Sequence, residues 1–241
     1  MPDPLFTDPR LAAVYDAFDG PRDDLAAYLG IADELGAERV LDLGCGTGSL
    51  ALLLAAGGRT VVGADPAAAS LAVAQTKPGA DRVRWLHGDA TTLPDLAADL
   101  AVLTGNVAQV FLTDDDWART LGGLRAALRP GGHLVFETRR PERRAWVDWA
   151  AADPVALDVP GTGRVEQRLQ VTGVHLPLVT FRFTYRFLPD GAVLTSESTL
   201  RFRERAELTQ DLLTHGFRVL DVRDAPDRPG KEYVFVTQRV D

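Results

Sequence analysis

The chain has 241 residues, with 26 Lys and Arg against 34 Asp and Glu, a formal net charge of −8. Binding to nucleic acid draws most of its affinity from neutralised phosphates, so this balance argues against a nucleic-acid partner and equally against docking on an anionic membrane. At 46% hydrophobic residues the chain can bury a core without staples, and its one cysteine, Cys45, excludes an internal disulfide and a cysteine-built zinc site.

In chain order, Met1 to Pro9 lacks the basic and apolar blocks of a signal peptide, and no apolar run approaches the roughly 18 residues of a membrane span. A soluble, cytoplasmic protein is the expectation. Residues 1–36 read as a helical lead-in, with a short amphipathic helix from Leu11 to Phe18. Val40 to Leu43 is an apolar run that ends in a glycine loop. Ser49 to Ala56 is helical in composition, Thr60 to Ala64 a second buried strand, and Ala67 to Thr76 a second helix. Val83 to Leu86 and Leu100 to Leu103 are the third and fourth strands. Thr113 is placed to N-cap the next helix, with Asp116 three residues on. Trp117, Leu121, Leu124 and Leu128 follow at helical spacing, and Pro130-Gly131-Gly132 stops the helix. His133 to Phe136 is the fifth strand. Strands separated by single helices imply a parallel sheet with right-handed crossovers.

The pattern then changes. Pro141 to Ala152 reads as a helix carrying Trp146 and Trp149, and Asp153 to Gly163, with its Pro and Gly, as a loop. From Val165 to Arg203 the chain alternates with period two, placing Phe181, Phe183, Tyr185 and Phe187 on one face. Pro189-Asp190-Gly191 is a turn signal, so two of these strands form a hairpin. Glu204 to His215 is a helix ended by Gly216, and Phe217 to Leu220 and Tyr233 to Val236 are two further strands. The class is α/β: a sheet of about seven strands, interrupted after its fifth by an antiparallel insert.

The most informative stretch is Leu41-Asp42-Leu43-Gly44-Cys45-Gly46-Thr47-Gly48. Glycines let the backbone turn sharply after a strand and let a ligand touch main-chain atoms, while the next helix aims unpaired N–H groups at it. The dinucleotide fingerprint wants a glycine where Ser49 stands, and a P-loop needs a Gly-Lys-Ser/Thr that is absent. Asp65, just past the second strand, offers two acceptors to the two adjacent hydroxyls of a ribose; the plainer role is a cap for the helix that Pro66 begins. Asp89, in His87-Gly88-Asp89-Ala90, sets a second carboxylate on the adjacent rim.

These motifs resemble those of class I S-adenosylmethionine-dependent methyltransferases. LDLGCGTG at 41–48, GADPA at 63–67, HGDAT at 87–91 and LRPGGHLVFET at 128–138 match in order and spacing. The resemblance covers about residues 35–139 and 204 to the end. It implies a Rossmann-like sheet of order 3-2-1-4-5-7-6 with strand 7 antiparallel. It implies that Gly44, Gly46 and Gly48 lie against the methionine part of S-adenosylmethionine, that Asp65 binds the ribose and Asp89 the adenine amino group, and that the Ala90 N–H lies near a ring nitrogen. Asp42, Cys45, Pro66 and Asn106 complete the candidate cofactor set; Cys45 fills a variable loop position and carries no chemistry. The expected segments are a helical lid (1–36), the cofactor-binding core (37–152), the antiparallel insert (153–203) and the completion of the core sheet (204–241).

Methyl transfer from a sulfonium is an in-line displacement whose main demand is alignment, and a general base is optional. Thr104 to Gln109 follows the fourth strand, where the family keeps residues beside the reactive methyl. Asn106 and Tyr15 are the catalytic candidates; Tyr15, Gln109, Arg139 and Trp146 are the substrate candidates. Arg139, Arg140, Arg143 and Arg144 cluster at the ligand-bearing edge, suited to an anionic group or simply to a solvated helix face. His175 is a weaker candidate base. No metal is expected. The expected activity is methyl transfer to an N, O or C nucleophile of a small molecule by a monomer or homodimer. The alternatives are an RNA methyltransferase, a cofactor-binding protein without transfer activity, and a nicotinamide dehydrogenase on a similar fold, against which Ser49 and HGDAT speak.

Overall fold

A computed structural model describes residues 2–240; Met1 and Asp241, the ends of the first and last expected segments, lie outside the described residues. Three helices lead in: α1 (Pro4–Thr7), α2 (Pro9–Asp19) and α3 (Leu25–Glu34). There follow β1 (Arg39–Leu43), α4 (Ser49–Ala56), β2 (Thr60–Asp65), α5 (Ala68–Thr76), β3 (Val83–His87), β4 (Ala98–Leu103), α6 (Asp114–Ala127), β5 (Leu128–Arg139) and α7 (Ala145–Ala150). Four antiparallel strands come next, β6 (Val155–Val159), β7 (Gly163–His175), β8 (Leu178–Phe187) and β9 (Val193–Arg201). The chain ends with α8 (Arg205–Thr214), β10 (Phe217–Asp224) and β11 (Glu232–Arg239).

The main sheet runs β3-β2-β1-β4-β5-β11-β10, parallel except that β11 lies antiparallel to both neighbours. That is the expected order, with the last two strands in the roles of 7 and 6. Helices cover both faces, which is why the strands read as continuous apolar runs. Alternate residues nonetheless serve opposite faces: Ala101 and Leu103 join Trp117, Leu121 and Phe235, while Leu100 and Val102 join Tyr28, Leu50 and Leu54. The Thr113 hydroxyl accepts from the Asp116 N–H at 3.1 Å and donates to its carboxylate at 2.7 Å, as the sequence anticipates for the start of α6.

The insert holds one strand that the sequence reading assigned to a loop. The segment read as a loop, Asp153 to Gly163, holds β6, which pairs antiparallel with β7 and makes a four-stranded sheet of order β6-β7-β8-β9. Val155, Ala156, Leu157 and Val159 supply its strand character, and the flanking Pro and Gly mark only its ends. One end of the aromatic face packs on the lead-in: Leu5, Leu11 and Val14 meet Val165, Tyr185 and Phe187. The other packs on α7, where Trp146 joins Val179, Leu200 and Phe202. Ser196 and Ser198, buried on β9, hold the start of the chain, through the Leu5 N–H at 2.9 Å and the Asp3 carboxylate at 2.6 Å.

Candidate cofactor and acceptor site

The chain leaves β1 toward β2 and β3 on one side and returns through β4 and β5 on the other. The crevice at the carboxyl ends of β1 and β4 is thus the topological switch point where open α/β sheets bind ligands. The glycine loop lies across it. Gly44, Gly46 and Gly48 all hold positive φ, at 72°, 52° and 82°. A Cβ on Gly48 would stand 2.6 Å from the Trp85 ring, whereas one on Gly46 would meet nothing within 4 Å, because Gly46 faces open space. The loop is tied down by the Gly44 N–H, 2.8 Å from the Ala64 carbonyl, and by the lead-in, where Asp16 accepts from the Thr47 hydroxyl.

Asp65 turns back from β2 into this loop. Its two oxygens accept from the Gly46 and Ala67 N–H groups, each at 2.8 Å. Burial raises its pKa and those two amides oppose the rise. The helix-cap role and the ligand role are therefore compatible, because each carboxylate oxygen keeps a free lone pair. Asp42 is fully enclosed, and its Oδ1 has no hydrogen-bond partner. Burial, and then the charge of Asp65, push its carboxyl up to about 7. Asp89 is exposed on the rim, its Oδ1 accepting from the Thr91 amide and hydroxyl, with Ala90 buried beside it.

Gly44 to Thr47 of the glycine loop share one cavity of about 810 Å³ with Asp42, Asp65, Pro66, Asp89 and Ala90, lined also by Phe6 and Tyr15; Gly48 lies outside its lining, packed on Trp85. That volume lies in the range of small-molecule and cofactor sites. The residues fit an S-adenosylmethionine-sized ligand on three counts: a carboxylate pair of acceptors held rigid at the nucleoside end, an opening that any Cβ at Gly46 would invade, and an orphaned acceptor on Asp42.

A second cavity, of about 310 Å³, adjoins it and shares Tyr15, Arg22 and Gly105. Asn106 forms part of its wall, in the left-handed conformation (φ 62°) that Asn tolerates better than most residues. The Asn106 N–H donates to Glu137 Oε1 and its Nδ2 to Glu232 Oε1, both at 3.1 Å. Glu137 also accepts from the Tyr28 hydroxyl, and burial, then the neighbouring Glu232, raise its pKa. Arg228 donates to Glu232 at 3.0 Å. Arg139 stands 3.7 Å from Glu232 and lies over the Trp149 ring, and burial lowers its pKa.

The other candidates fall differently. Tyr15 lines both cavities and stands 5.6 Å from the Phe6 ring; burial and then Asp19 raise its pKa. Gln109 is enclosed behind the wall: it donates to the Arg201 carbonyl at 3.3 Å and accepts from Arg139 at 3.1 Å, so it holds Arg139 in place. Trp146 lies edge-on to Phe202 and lines neither cavity. Cys45 is buried, and burial raises its thiol pKa well above the usual range. Arg140 and Arg143 reach into the β10–β11 loop, Arg140 to Asp224 at 2.8 Å and Arg143 to the Gly230 carbonyl at 2.7 Å, which is the structural role of that cluster. His175 is exposed at the end of β7.

Sequence patterning did not single out Arg22, Glu137, Glu232 or Arg228. Arg22 lines both cavities; its guanidinium is bidentate on Asp24 at 2.9 Å and reaches Asp19 at 2.8 Å. Burial works against its charge, and Asp24 and Asp19 outweigh it, so its pKa is raised. Glu137 lies inside a recognised motif, and a carboxylate in an otherwise buried strand was the available signal. Glu232 and Arg228 come from the far end of the chain and carry no local signal.

A model of the methyltransferase domain matches residues 40–132. A demethylmenaquinone methyltransferase of Thermus thermophilus is 43% identical over 109 residues, 44% of this chain and 49% of that protein. The chain thus spans about half the length of the curated relatives it matches first. Among solved structures, a S-adenosylmethionine-dependent methyltransferase from Clostridium acetobutylicum superposes with a TM-score of 0.76 at 16% identity, covering 96% of this chain and 98% of that one. An amino pentose methyltransferase from Micromonospora echinaspora, solved with S-adenosylmethionine bound, has a TM-score of 0.72 at 23% identity, covering 93% and 95%. At these identities the structural likeness is one of fold. Fold and matched segment point the same way: residues 40–132 match a methyltransferase domain, and the whole chain has the fold of the S-adenosylmethionine-dependent methyltransferases it superposes on. Among the described residues no helix is long and apolar enough to cross a membrane.

Proposed function

We propose that the protein transfers a methyl group from S-adenosylmethionine to a small-molecule acceptor that enters through the polar cavity beside Asn106. The observation that carries this reading is the junction of the two cavities at Tyr15, Arg22 and Gly105, which joins a small second site to the cavity that the glycine loop lines. When bound, S-adenosylmethionine supplies a methyl group on a positively charged sulfur, already activated for displacement.

The chain's own residues hold and align. Asp65 takes the ribose hydroxyls with the lone pairs left free by Gly46 and Ala67. Asp89 and the Ala90 N–H take the adenine edge, and Gly44 to Thr47 lie along the methionine part. Arg22 puts a cation at the junction, suited to the carboxylate end of the cofactor. Tyr15 and Phe6 close over the top and exclude water. Asn106, fixed from two sides by Glu137 and Glu232, forms a rigid part of the wall against which the acceptor lies. Alignment of this kind is worth on the order of 7–11 kcal/mol of barrier. A cavity of about 310 Å³ and the net charge of −8 favour a small acceptor over a nucleic acid.

The test is incubation with trideuteromethyl-labelled S-adenosylmethionine and a pool of small amines, alcohols and phenols, read by mass spectrometry. Label on a small molecule is the expected result. Label confined to added RNA, or a firmly bound cofactor with transfer to nothing, contradicts it.

A further inference from the structure

The loop after β4, residues 104–113, gives Val107, Val110, Phe111, Leu112 and Thr113 to the lining of the larger cavity. It also bears on the glycine loop. A Cβ on Gly44 would stand 2.7 Å from Val107 Cγ2, so the Val107 side chain lies against bare backbone there. The groups that hold this loop come from the end of the insert. Arg203 is 1% exposed and donates to the carbonyls of Ala108, Phe111 and Thr113 at 3.5, 2.7 and 3.2 Å. Arg201 donates to the Leu112 carbonyl at 3.1 Å and pairs with Asp114 at 2.7 Å. Its own carbonyl receives Gln109 Nε2 from the same loop at 3.3 Å. Phe202, between the two arginines, lies edge-on to Trp146 instead, as alternation along an extended chain requires. Glu207, on α8, meets both guanidiniums, Arg201 at 2.8 Å and Arg203 at 3.6 Å. Two arginines thus clasp four carbonyls between Ala108 and Thr113.

A buried guanidinium is costly: burial, and then the charge of Arg201, lower the Arg203 pKa to about 10. An apolar side chain of similar length would pack over the Trp117 ring, where the guanidinium stands 5.5 Å from the centroid, without that cost. What it would lack is the planar fork, whose donors fix several acceptors at once. We propose that Arg203, backed by Arg201, is a positioning residue for the cofactor, which holds the 104–113 loop against Gly44 and so sets one wall of the larger cavity. Arg203 lines neither cavity and acts only through that loop. β9 gives Glu197 and Thr199 to the same lining, so the clasp also fixes the spacing of two walls whose tie, Arg203 to Phe111, spans 92 residues of sequence. The proposal rests on the S-adenosylmethionine-binding reading of the cavity.

The experiment is calorimetric titration of the full chain with S-adenosylhomocysteine, well below the melting temperature of every variant, beside hydrogen–deuterium exchange read by mass spectrometry. Arg203→Met keeps most of the bulk and removes the fork and the charge. It is expected to bind S-adenosylhomocysteine at least about tenfold more weakly, the scale of a hydrogen bond to a charged group. Exchange is expected to quicken in residues 106–113 while β1 and β5 keep their protection. Leu212→Ala, at a fully buried position on α8, is the control for lost stability, and is expected to lower the melting temperature with affinity unchanged. Should Arg203→Met not fold, Arg201→Gln, at the more exposed arm of the clasp, decides with an expected weakening of about threefold. Unchanged affinity in the deciding variant, an equal loss in Leu212→Ala, or a loss with residues 106–113 as protected as in the wild type would overturn the proposal. Failure of S-adenosylhomocysteine to bind the wild type is a different result and overturns the underlying reading instead.

Discussion

Asp65, at the end of β2, accepts a hydrogen bond of 2.8 Å from the Gly46 amide, 19 residues earlier in the chain. One carboxylate thereby fixes the glycine loop and faces the cavity with its remaining lone pairs. Asp65→Ala removes the ribose acceptors and the clamp together. Two hydrogen bonds to a charged group are worth about 1.5–3 kcal/mol each, so cofactor affinity should fall by a factor on the order of 10²–10⁴. Equilibrium dialysis of S-adenosylmethionine against wild type and variant measures this.

The glycines of the loop should separate by role. Gly48→Ala would set a Cβ 2.6 Å from the Trp85 ring at φ 82°. Overpacking and left-handed strain together should cost about 2–5 kcal/mol of stability. Gly46→Ala meets no neighbour within 4 Å and carries only the strain of its φ, about 1–2 kcal/mol, but its methyl enters the cavity. Thermal melts and cofactor affinities of the pair should therefore rank in opposite order, Gly48→Ala losing more stability and Gly46→Ala losing more affinity.

Asp42 predicts a pH dependence. Unfolded, its carboxyl ionises near 3.8; folded, burial and then Asp65 hold it protonated up to about 7. The folded state thus binds more protons between those values, and its stability falls as pH rises through that window, by an amount on the order of 4 kcal/mol. Asp42→Asn removes the liability. Melting curves of the cofactor-free protein at pH 5 and pH 8 should show the wild type losing stability relative to the variant at the higher pH. Parallel changes in the two would refute the assignment.

What the sequence could and could not reveal follows from where each signal lies. The strand–loop–helix order to Arg139 and the Asp65 and Asp89 positions were legible because each rests on a contiguous run: an apolar strand, a glycine turn, a carboxylate at its end. β6 was hidden because a five-residue strand between Pro154 and Gly161 gives too few alternations to outweigh its flanks. Gln109 and Trp146 were sensible candidates by type and place. Their side chains nevertheless meet Arg139 and Phe202, partners that only the folded chain brings near. The Asn106–Glu232 pair joins residues 126 apart, a separation no local pattern reports.

The lead-in helices combine two roles that substitutions should divide. Leu11 is 1% exposed and packs against the insert, so Leu11→Ala should cost about 2–5 kcal/mol in a denaturant titration. Among the described residues the Tyr15 hydroxyl has no hydrogen-bond partner, so Tyr15→Phe should leave stability within about 0.5 kcal/mol of wild type and lower the rate of transfer. Removing residues 1–20 outright would uncover Val165, Tyr185 and Phe187 and so act on folding as well as on turnover.

The central claim is that the loop from Gly44 to Gly48 with Asp65 binds S-adenosylmethionine. Calorimetric titration of the wild-type protein with S-adenosylhomocysteine, beside an identical titration with NAD, tests it most directly. Saturable binding of one S-adenosylhomocysteine per chain, with no heat of binding from NAD, is the predicted result. Absence of S-adenosylhomocysteine binding, or tighter binding of NAD, would contradict it.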